Sequence, residues 1–420
     1  MKKVLLTAMA LLTIASASVF GMYGDNSDWI DFLVHGNQLR ARMNQFGFTL
    51  GNGTIKGTFG FKNDGGLIIT PSSVTPSDAD HKQQDKKVFY NFNPVISAGI
   101  GYTTEAFGIG IGYNYRYIHS GSTDLNNDGT SQSERILSLK GYTTRDVGLS
   151  VHTPVIAFNA LNNNLRIVVP IQIAAKNNNF NTPANATTGF DYKNEKYLGL
   201  SLDPQIRFYP GLDFLTEFRL TVKYGMNQVT YNKPNANFTK FSVEKNMVSS
   251  FGFDFRTYFA AQVGDVGLAP FIKITYDTAL DKQAGDYAIT AGSAYIVEKG
   301  DDAFDSNPWK LVVLPTLGLS AGSDFVTLYA EAGLGYKAVN TGYTYDKNSL
   351  YANRRDVEKS GIKHTLAWRA YGEIYITPVK DLEWYFEAEI GNDVTGYSSP
   401  FEFASSTGIT WYLPSLNGAE

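Results

Sequence analysis

The chain has 420 residues, a formal net charge of −4 and no cysteine. Disulfides, thiolate metal sites and cysteine nucleophiles are therefore excluded, and the net charge gives no support to nucleic acid as a partner. Aromatic residues make up 14% of the chain, charged residues make up 18%, and there are 40 glycines. This composition favours a sheet with tight turns and an aromatic girdle over a helical protein.

The first 21 residues have the pattern of a secretory signal peptide. Lys2 and Lys3 precede an apolar run from Val4 to Ile14, and small residues follow as far as Gly21. The apolar run is too short to cross a membrane as a helix, and its flanks are those of a cleaved leader. We therefore predict export and cleavage after Gly21. The predicted units are a signal peptide (1–21), an N-terminal periplasmic segment (22–38), an outer-membrane barrel (39–413) and a C-terminal tail (414–420).

Beyond the leader, side chains alternate between apolar and polar or small residues. The segment 107–117, FGIGIGYNYRY, has only aromatic residues and isoleucine on one face. The segments 198–208, 214–226 and 382–390 repeat the pattern, with charges of both signs on the second face. Strands of roughly 9–11 residues suit a membrane barrel, whereas soluble strands average about 5–6. The length of the alternation thus predicts strands with an apolar outside and a polar inside.

The connections between these strands are of two kinds. Short turns are predicted at 50–53, 104–106, 210–213, 263–266, 321–324 and 378–381. Long polar loops are predicted at 62–87, 119–133, 176–195, 231–246, 279–308 and 339–361. The stretch 134–176 breaks this alternation, whether or not 136–143 is a strand. The fold class predicted is all-β: a transmembrane antiparallel β-barrel of about 14–16 strands, with short periplasmic turns and long extracellular loops.

One loop motif has the spacing of a calcium site. In the motif DLNNDG, Asp124, Asn126 and Asp128 recur at every second residue and Gly129 follows them. This spacing can turn three oxygen ligands towards one hard cation. However, Glu134 lies one place short of the position that would supply a bidentate acid, and an Asn/Asp-rich surface turn explains the same residues. Calcium is the one cofactor for which the sequence offers a motif, and otherwise none is expected.

Catalysis has little support in the sequence. The five histidines are scattered, and there is no HExxH, GxSxG or phosphate-binding loop motif. We interpret the histidines as solvated loop residues and expect that the protein is not an enzyme.

Charged residues on the polar faces of the strands are candidates for the lining of the lumen. In an open pore they would set a transverse field and tune ion selectivity. In a closed lumen the same charges would form salt-bridged plugs, and the sequence leaves both alternatives open. The lumen-lining candidates are Glu217, Arg219, Lys223, Asp254, Arg256, Lys273, Glu331, Lys337, Arg369 and Glu373.

The segment Met22 to Phe61, MYGDNSDWIDFLVHGNQLRARMNQFGFTLGNGTIKGTFGF, resembles the variable surface protein family of intestinal spirochaetes. The leader MKKVLLTAMALL and a mature start at Met22 are similar to that family as well. The resemblance implies an abundant, antigenic outer-membrane protein with variable loops, in a family of alternative paralogues. It implies no catalytic residues.

The leading functional prediction is a surface-exposed, antigenic protein of the cell outer membrane whose long loops face the host. The alternatives are a general diffusion porin with a charged lumen and, with less support, an adhesin that works through the loops. The expected partners are outer-membrane lipid, a host surface or antibody, and further copies of the same chain. Nucleic acid is not expected among them.

Overall fold

A computed structural model describes residues 28–42, 45–63, 71–74, 88–90, 94–120, 147–178, 195–234, 241–280, 306–340, 362–392 and 401–413. Within these ranges the chain forms antiparallel strands and a single short 3-10 helix, η1 (Asp28–Ile30). Eighteen of the strands belong to one sheet, and two short strands, β4 and β5, pair separately. The strands are β1 (Gln38–Arg42), β2 (Gln45–Gly51), β3 (Ile55–Asn63), β4 (Pro71–Val74), β5 (Val88–Tyr90), β6 (Pro94–Thr103), β7 (Gly108–Ser120), β8 (Val147–Ala160), β9 (Leu165–Asn178), β10 (Glu195–Leu202), β11 (Gln205–Phe208), β12 (Leu215–Pro234), β13 (Phe241–Phe259), β14 (Ala261–Val263), β15 (Val266–Ala279), β16 (Trp309–Gly322), β17 (Val326–Asn340), β18 (Ile362–Val379), β19 (Leu382–Gly391) and β20 (Glu402–Leu413).

The sheet closes on itself. β1 pairs with β2 on one side and with β20 on the other, with Leu39 opposite both Phe48 and Leu413. β10 and β11 both lie between β9 and β12, and β14 continues β13 along β15. The eighteen strands therefore occupy sixteen positions around a closed barrel, at the upper end of the predicted range. Closure pairs the edge strands, so every strand position has two hydrogen-bonded neighbours.

The two ends of the barrel differ in their connections. At one end the strands join through the turns 52–54, 104–107, 161–164, 209–214, 264–265, 323–325 and 380–381. The start of β1 and the end of β20 lie at this same end, because Leu39 pairs with Leu413. At the opposite end the joining segments include 121–146, 179–194, 280–308 and 341–361. We call these the short-turn end and the long-connection end.

Alternation along the strands separates an apolar outer face from a polar inner face. On β7, Ile109 and Ile111 are exposed, whereas Gly110 between them is buried. The outer face carries exposed Leu334 on β17 and exposed Trp411 on β20. Large apolar side chains exposed all around a barrel are what hydrocarbon requires of a membrane-spanning wall. The strands are also long enough to span, since β12 has 20 residues and β18 has 18.

The N-terminal segment, which we define as residues 28–37, lies inside the barrel. Trp29, Ile30, Phe32 and Leu33 are all at most 4% exposed. They form one buried cluster with inward-facing Val155, Ala157 and Val168 of β8 and β9. The segment lies towards the short-turn end and leads directly into β1.

All six predicted short turns coincide with observed connections at the short-turn end. The turn 161–164, between β8 and β9, was not predicted, and it restores the alternation that the stretch 134–176 had broken. The candidate strand 136–143, the signal peptide 1–21 and the tail 414–420 lie outside the described residues, as do residues 22–27 of the predicted periplasmic segment.

Candidate functional site: the inner wall of the barrel

An ion-pair network fastens the N-terminal segment to the inner wall. Asp31 accepts hydrogen bonds from Nη1 of Arg166 at 2.5 Å and from Nη1 of Arg207 at 3.1 Å. Burial alone would raise the pKa of the Asp31 carboxyl, but Arg207 and Arg166 overcome this effect and hold the pKa below its ordinary value. Because β9 and β11 supply the two arginines, the aspartate joins the segment to neighbouring strands of the wall.

Further hydrogen bonds, which involve no carboxylate, secure both ends of the same segment. The Lys56 ammonium on β3 donates to the backbone carbonyls of Leu33 and His35, at 2.8 and 2.7 Å. Deeper in the lumen, Nε1 of Trp29 donates to Oδ1 of Asn114 on β7 at 3.1 Å. These bonds satisfy polar groups that burial would otherwise leave without hydrogen bonds, so the segment can remain inside without that cost.

The inner face from β11 to β16 is the basic side of the wall. Arg219 forms a bidentate pair with Glu217, at 2.9 and 3.2 Å, and Arg256 forms one with Asp254, at 2.8 and 2.9 Å. The inward charges described here are the cations Arg207, Arg219, Lys223, Arg256, Lys273 and Lys310 and the carboxylates Glu217, Asp254 and Asp277. In register, Arg219 lies opposite Arg256, which in turn lies opposite Lys273. With Asp203, which lies between β10 and β11 and interacts with Lys223, this side carries an excess of two positive charges over the described side chains.

The inner face from β17 to β20 is the acidic side. Tyrosine hydroxyls donate to three of its carboxylates, namely from Tyr329 to Glu331, from Tyr371 to Glu373 and from Tyr375 to Glu387. Its described charges are the carboxylates Glu331, Glu373, Glu383, Glu387, Glu389 and Glu402 and the cations Lys337, Lys363 and Arg369. By formal charge, this side therefore carries an excess of three negative charges over the described side chains.

Arg369 is the main cation within the acidic side. Its guanidinium pairs with Glu331 of β17 and with Glu389 of β19, and it lies 5.0 Å from the centre of the Tyr371 ring. One arginine thus ties three neighbouring strands together through their inward side chains. A planar guanidinium can bridge two carboxylates in this way, whereas an ammonium acts as a single point charge.

All ten lumen-lining candidates lie on the inner face, opposite the exposed apolar side chains. Sequence reasoning did not identify Arg166 and Arg207 as partners of Asp31, which is 135 and 176 residues away from them. It also left Glu383, Glu402 and Lys310 out of the lining. The alternation of β19 contained the signal for Glu383, because Glu383 follows the same parity as Glu387.

The candidate calcium ligands Asp124, Asn126, Asp128 and Glu134 lie outside the described residues. Within the described ranges, no group of three or more His, Asp or Glu side chains could hold a metal ion. The interpretation of the histidines as loop residues was wrong for His152 and His364, which lie on strands β8 and β18. Both are on the outer face of the barrel, where Nδ1 of His152 is 2.5 Å from the Tyr113 hydroxyl and Nδ1 of His364 is 2.5 Å from that of Tyr336. Neither pair adjoins the charged inner wall.

Comparison with known proteins identifies the family. The family model described as Serpulina hyodysenteriae variable surface protein matches residues 2–295 and 282–412. The chain belongs to this family. The variable surface protein assignment agrees with the resemblance of residues 22–61, and it extends over almost the whole chain. With the apolar outer face of the closed barrel, it makes this family member a surface protein of the outer membrane.

Solved structures of outer-membrane barrels are distantly similar. The FrpB iron transporter of Neisseria meningitidis (F5-1 variant) is 12% identical, with a TM-score of 0.41, over 82% of this chain and 53% of that one. The translocator domain of the autotransporter NalP from Neisseria meningitidis is 12% identical, with a TM-score of 0.31, over 98% and 97%. OmpTdeltaL8, a loop L8 deletion mutant of the Vibrio cholerae outer membrane protein OmpT, is 11% identical, with a TM-score of 0.29, over 90% and 96%.

The chain spans about half the length of the FrpB transporter that it matches. We draw no functional inference from likenesses this distant. A search among curated proteins gave no match. In the described part of the chain, no helix is long and apolar enough to cross a membrane.

Proposed function

We propose that the protein is a surface antigen that uses its barrel to present the long connections to the cell exterior. The supporting observation is the difference between the two barrel ends. Seven tight turns close one end, whereas the segments 121–146, 179–194, 280–308 and 341–361 join strands at the other. Turns of this kind face the periplasm in outer-membrane barrels, and longer loops face outwards. Such loops tolerate sequence change, because the sheet and not the loops holds the fold together.

Cysteine labelling of intact cells tests this orientation. The chain has no cysteine, so an introduced one is its single reactive thiol. Thr187→Cys lies in a long connection, and Asp265→Cys lies in the tight turn between β14 and β15. We expect a membrane-impermeant maleimide to label Thr187→Cys on intact cells and to label Asp265→Cys only after the outer membrane is disrupted. The reverse pattern would overturn the proposed orientation.

Antibody recognition tests the antigenic role. Antiserum raised against intact cells should lose much of its binding when segments 179–194 and 341–361 are exchanged for those of another family member. The same exchange in the turns at the short-turn end should change little. Equal loss from both exchanges would mean that the long connections are not the preferred target.

A second candidate function, passage of ions and small polar solutes through the lumen, is supported by one observation on the inner wall. The Lys223 and Asp277 side chains form an ion pair at 3.5 Å, yet they remain 41% and 44% exposed. Charged side chains on the inside of a barrel keep such exposure only where the interior is wet. Barrels of about 16–18 strands are wide enough for an aqueous channel.

Planar-bilayer recording of the purified, refolded protein tests the pore. We expect stable unitary conductance, and we expect Lys223→Glu to shift the reversal potential towards cation preference. Lys380→Glu makes the same change of charge in the exposed turn 380–381, and it should have less effect on selectivity. Absence of conductance under all lipid and salt conditions would remove this candidate.

A further inference from the structure

On β6 and β7, the wall beneath the N-terminal segment is built largely from glycine. Gly99 and Gly101 on β6, together with Gly108, Gly110 and Gly112 on β7, all lie on the inner face. Glycine within a strand weakens the strand and often marks the close approach of another part of the chain. We call these five glycines, which lie on the same face of two paired strands, the glycine groove. Their absence of side chains indicates that another part of the chain packs against them.

The occupant of this glycine groove is the N-terminal segment. A Cβ added at Gly112 would lie 2.2 Å from the Trp29 ring, and one added at Gly99 would lie 2.4 Å from it. A Cβ at Gly101 would lie 2.4 Å from Cδ2 of Leu33. Real Cβ atoms do not approach other atoms this closely, so any other residue at these positions would displace the segment.

Two further features hold the segment in the glycine groove. Trp29, Ile30, Phe32 and Leu33 are all buried there, and removal of these large apolar side chains from water stabilises the segment in the groove. Asp31 is held between Arg166 and Arg207, so the segment is also fixed by charge. The segment lies along β6 to β9, whereas the exposed Lys223–Asp277 pair lies on β12 and β15.

We propose that residues 28–37 are a built-in plug that seals the glycine-walled part of the lumen and confines ions and small polar solutes to the charged part. This inference rests on the pore function proposed above. The solutes that pass would meet a basic side and an acidic side together, an arrangement that orients dipolar and zwitterionic molecules and disfavours apolar ones.

Gly112→Val and Gly225→Val provide a matched test in planar bilayers. Both glycines face the lumen, but the atoms that a Cβ at Gly112 would meet belong to Trp29, whereas at Gly225 the one neighbour within 4 Å is Oγ of Ser250, at 3.1 Å. We expect Gly112→Val to displace residues 28–37 from the groove. The larger open cross-section of the lumen should then raise unitary conductance by a factor of about 1.5 or more. Gly225→Val should conduct as the wild type does or slightly less.

Hydrogen exchange of the peptide covering residues 29–35, measured on the same preparations, shows whether the segment has left the groove, because its amides would then lose protection. If Gly112→Val does not fold, Trp29→Ala removes the anchoring indole and carries the same expectation. If the segment is displaced but the conductance stays that of the wild type, the plug proposal is overturned and the pore proposal is unaffected. No conductance in the wild type or in either plug variant overturns both. A wild type that does not conduct beside a Gly112→Val variant that does would also overturn the proposal, because the charged part would then be closed together with the glycine-walled part.

Discussion

The interior of the barrel is filled differently along two parts of its inner wall. From β6 to β9 the wall has glycines and small apolar residues, and a separate stretch of the chain fills the space. From β11 to β20 the wall carries charged and tyrosine side chains that pair with one another, both along single strands and across neighbouring strands. The first part is filled by packing, whereas the second pairs its charges, and the Lys223–Asp277 pair there remains more than one-third exposed. A single closed sheet can therefore hold a dry region and a polar region side by side.

The most disruptive single change in the packed part should be Trp29→Ala. The indole is 4% exposed, packs edge-on against Phe32 and donates a hydrogen bond to Asn114. Large-to-small changes at such sites cost about 3–5 kcal/mol. We expect the opening free energy of residues 29–35, measured by native-state hydrogen exchange, to fall by that amount while the strands of the acidic side keep their protection. Equal loss of protection in both parts would show that they are not separate.

Asp31→Asn should come next, because it removes the charge that pairs with two buried arginines. Breaking a buried ion pair costs about 3 kcal/mol. The lowered pKa of Asp31 also gives a pH dependence, since the contribution is complete above the ordinary value of 3.8 and is lost as the pH falls through the lower folded value. The local stability of the segment should therefore decline in strong acid in the wild type and vary less in Asp31→Asn. Parallel pH profiles for the two proteins would contradict the pairing.

Arg369→Met should have an intermediate effect, in the charged part. It leaves Glu331 and Glu389 without the guanidinium that joins them, and because the Arg369 side chain is 29% exposed, solvent screening should keep the total loss at about 1.5–3 kcal/mol. We expect lower resistance of the folded protein to guanidinium, followed by tryptophan fluorescence in detergent, with the plug segment still protected. Arg369→Lys should recover only part of the loss, because lysine cannot reproduce both contacts.

The smallest effect should follow Lys223→Gln. The ion pair with Asp277 joins two side chains that are each more than one-third exposed, and exposed pairs contribute about 0–1 kcal/mol. The midpoint of unfolding should stay close to that of the wild type. A large destabilisation would show that this part of the lumen is drier than we propose.

The wall of the barrel was largely predictable from the sequence. Period-two alternation identified its outer and inner faces, and Gly or Asp clusters identified tight turns such as 263–266, where Gly264 has a positive φ of 61°. The missed turn 161–164 carries Asn162 and Asn163, both with positive φ. Asparagine tolerates this conformation, so the run LNNN was the available signal.

The interior was less predictable, because its contacts join residues far apart in sequence. Alternation placed the charged side chains on one face, but it could not pair Arg207 with Asp31 across 176 positions. The sequence was interpreted to place residues 22–38 in the periplasm, and nothing in it predicted that residues 28–37 lie inside the barrel. The one local sign was the glycine at each inward position of the FGIGIG run in β7, which the alternation alone left unexplained.

Thiol accessibility tests the division of the lumen most directly. Ala157→Cys lies beneath the N-terminal segment, where Ala157 is 1% exposed, and Lys223→Cys lies on the charged part of the wall. We predict that a small, charged methanethiosulfonate reagent modifies Lys223→Cys rapidly and Ala157→Cys at least about ten times more slowly, because the buried site must first open. Equal rates at the two positions would contradict a lumen divided into a sealed part and a water-filled part.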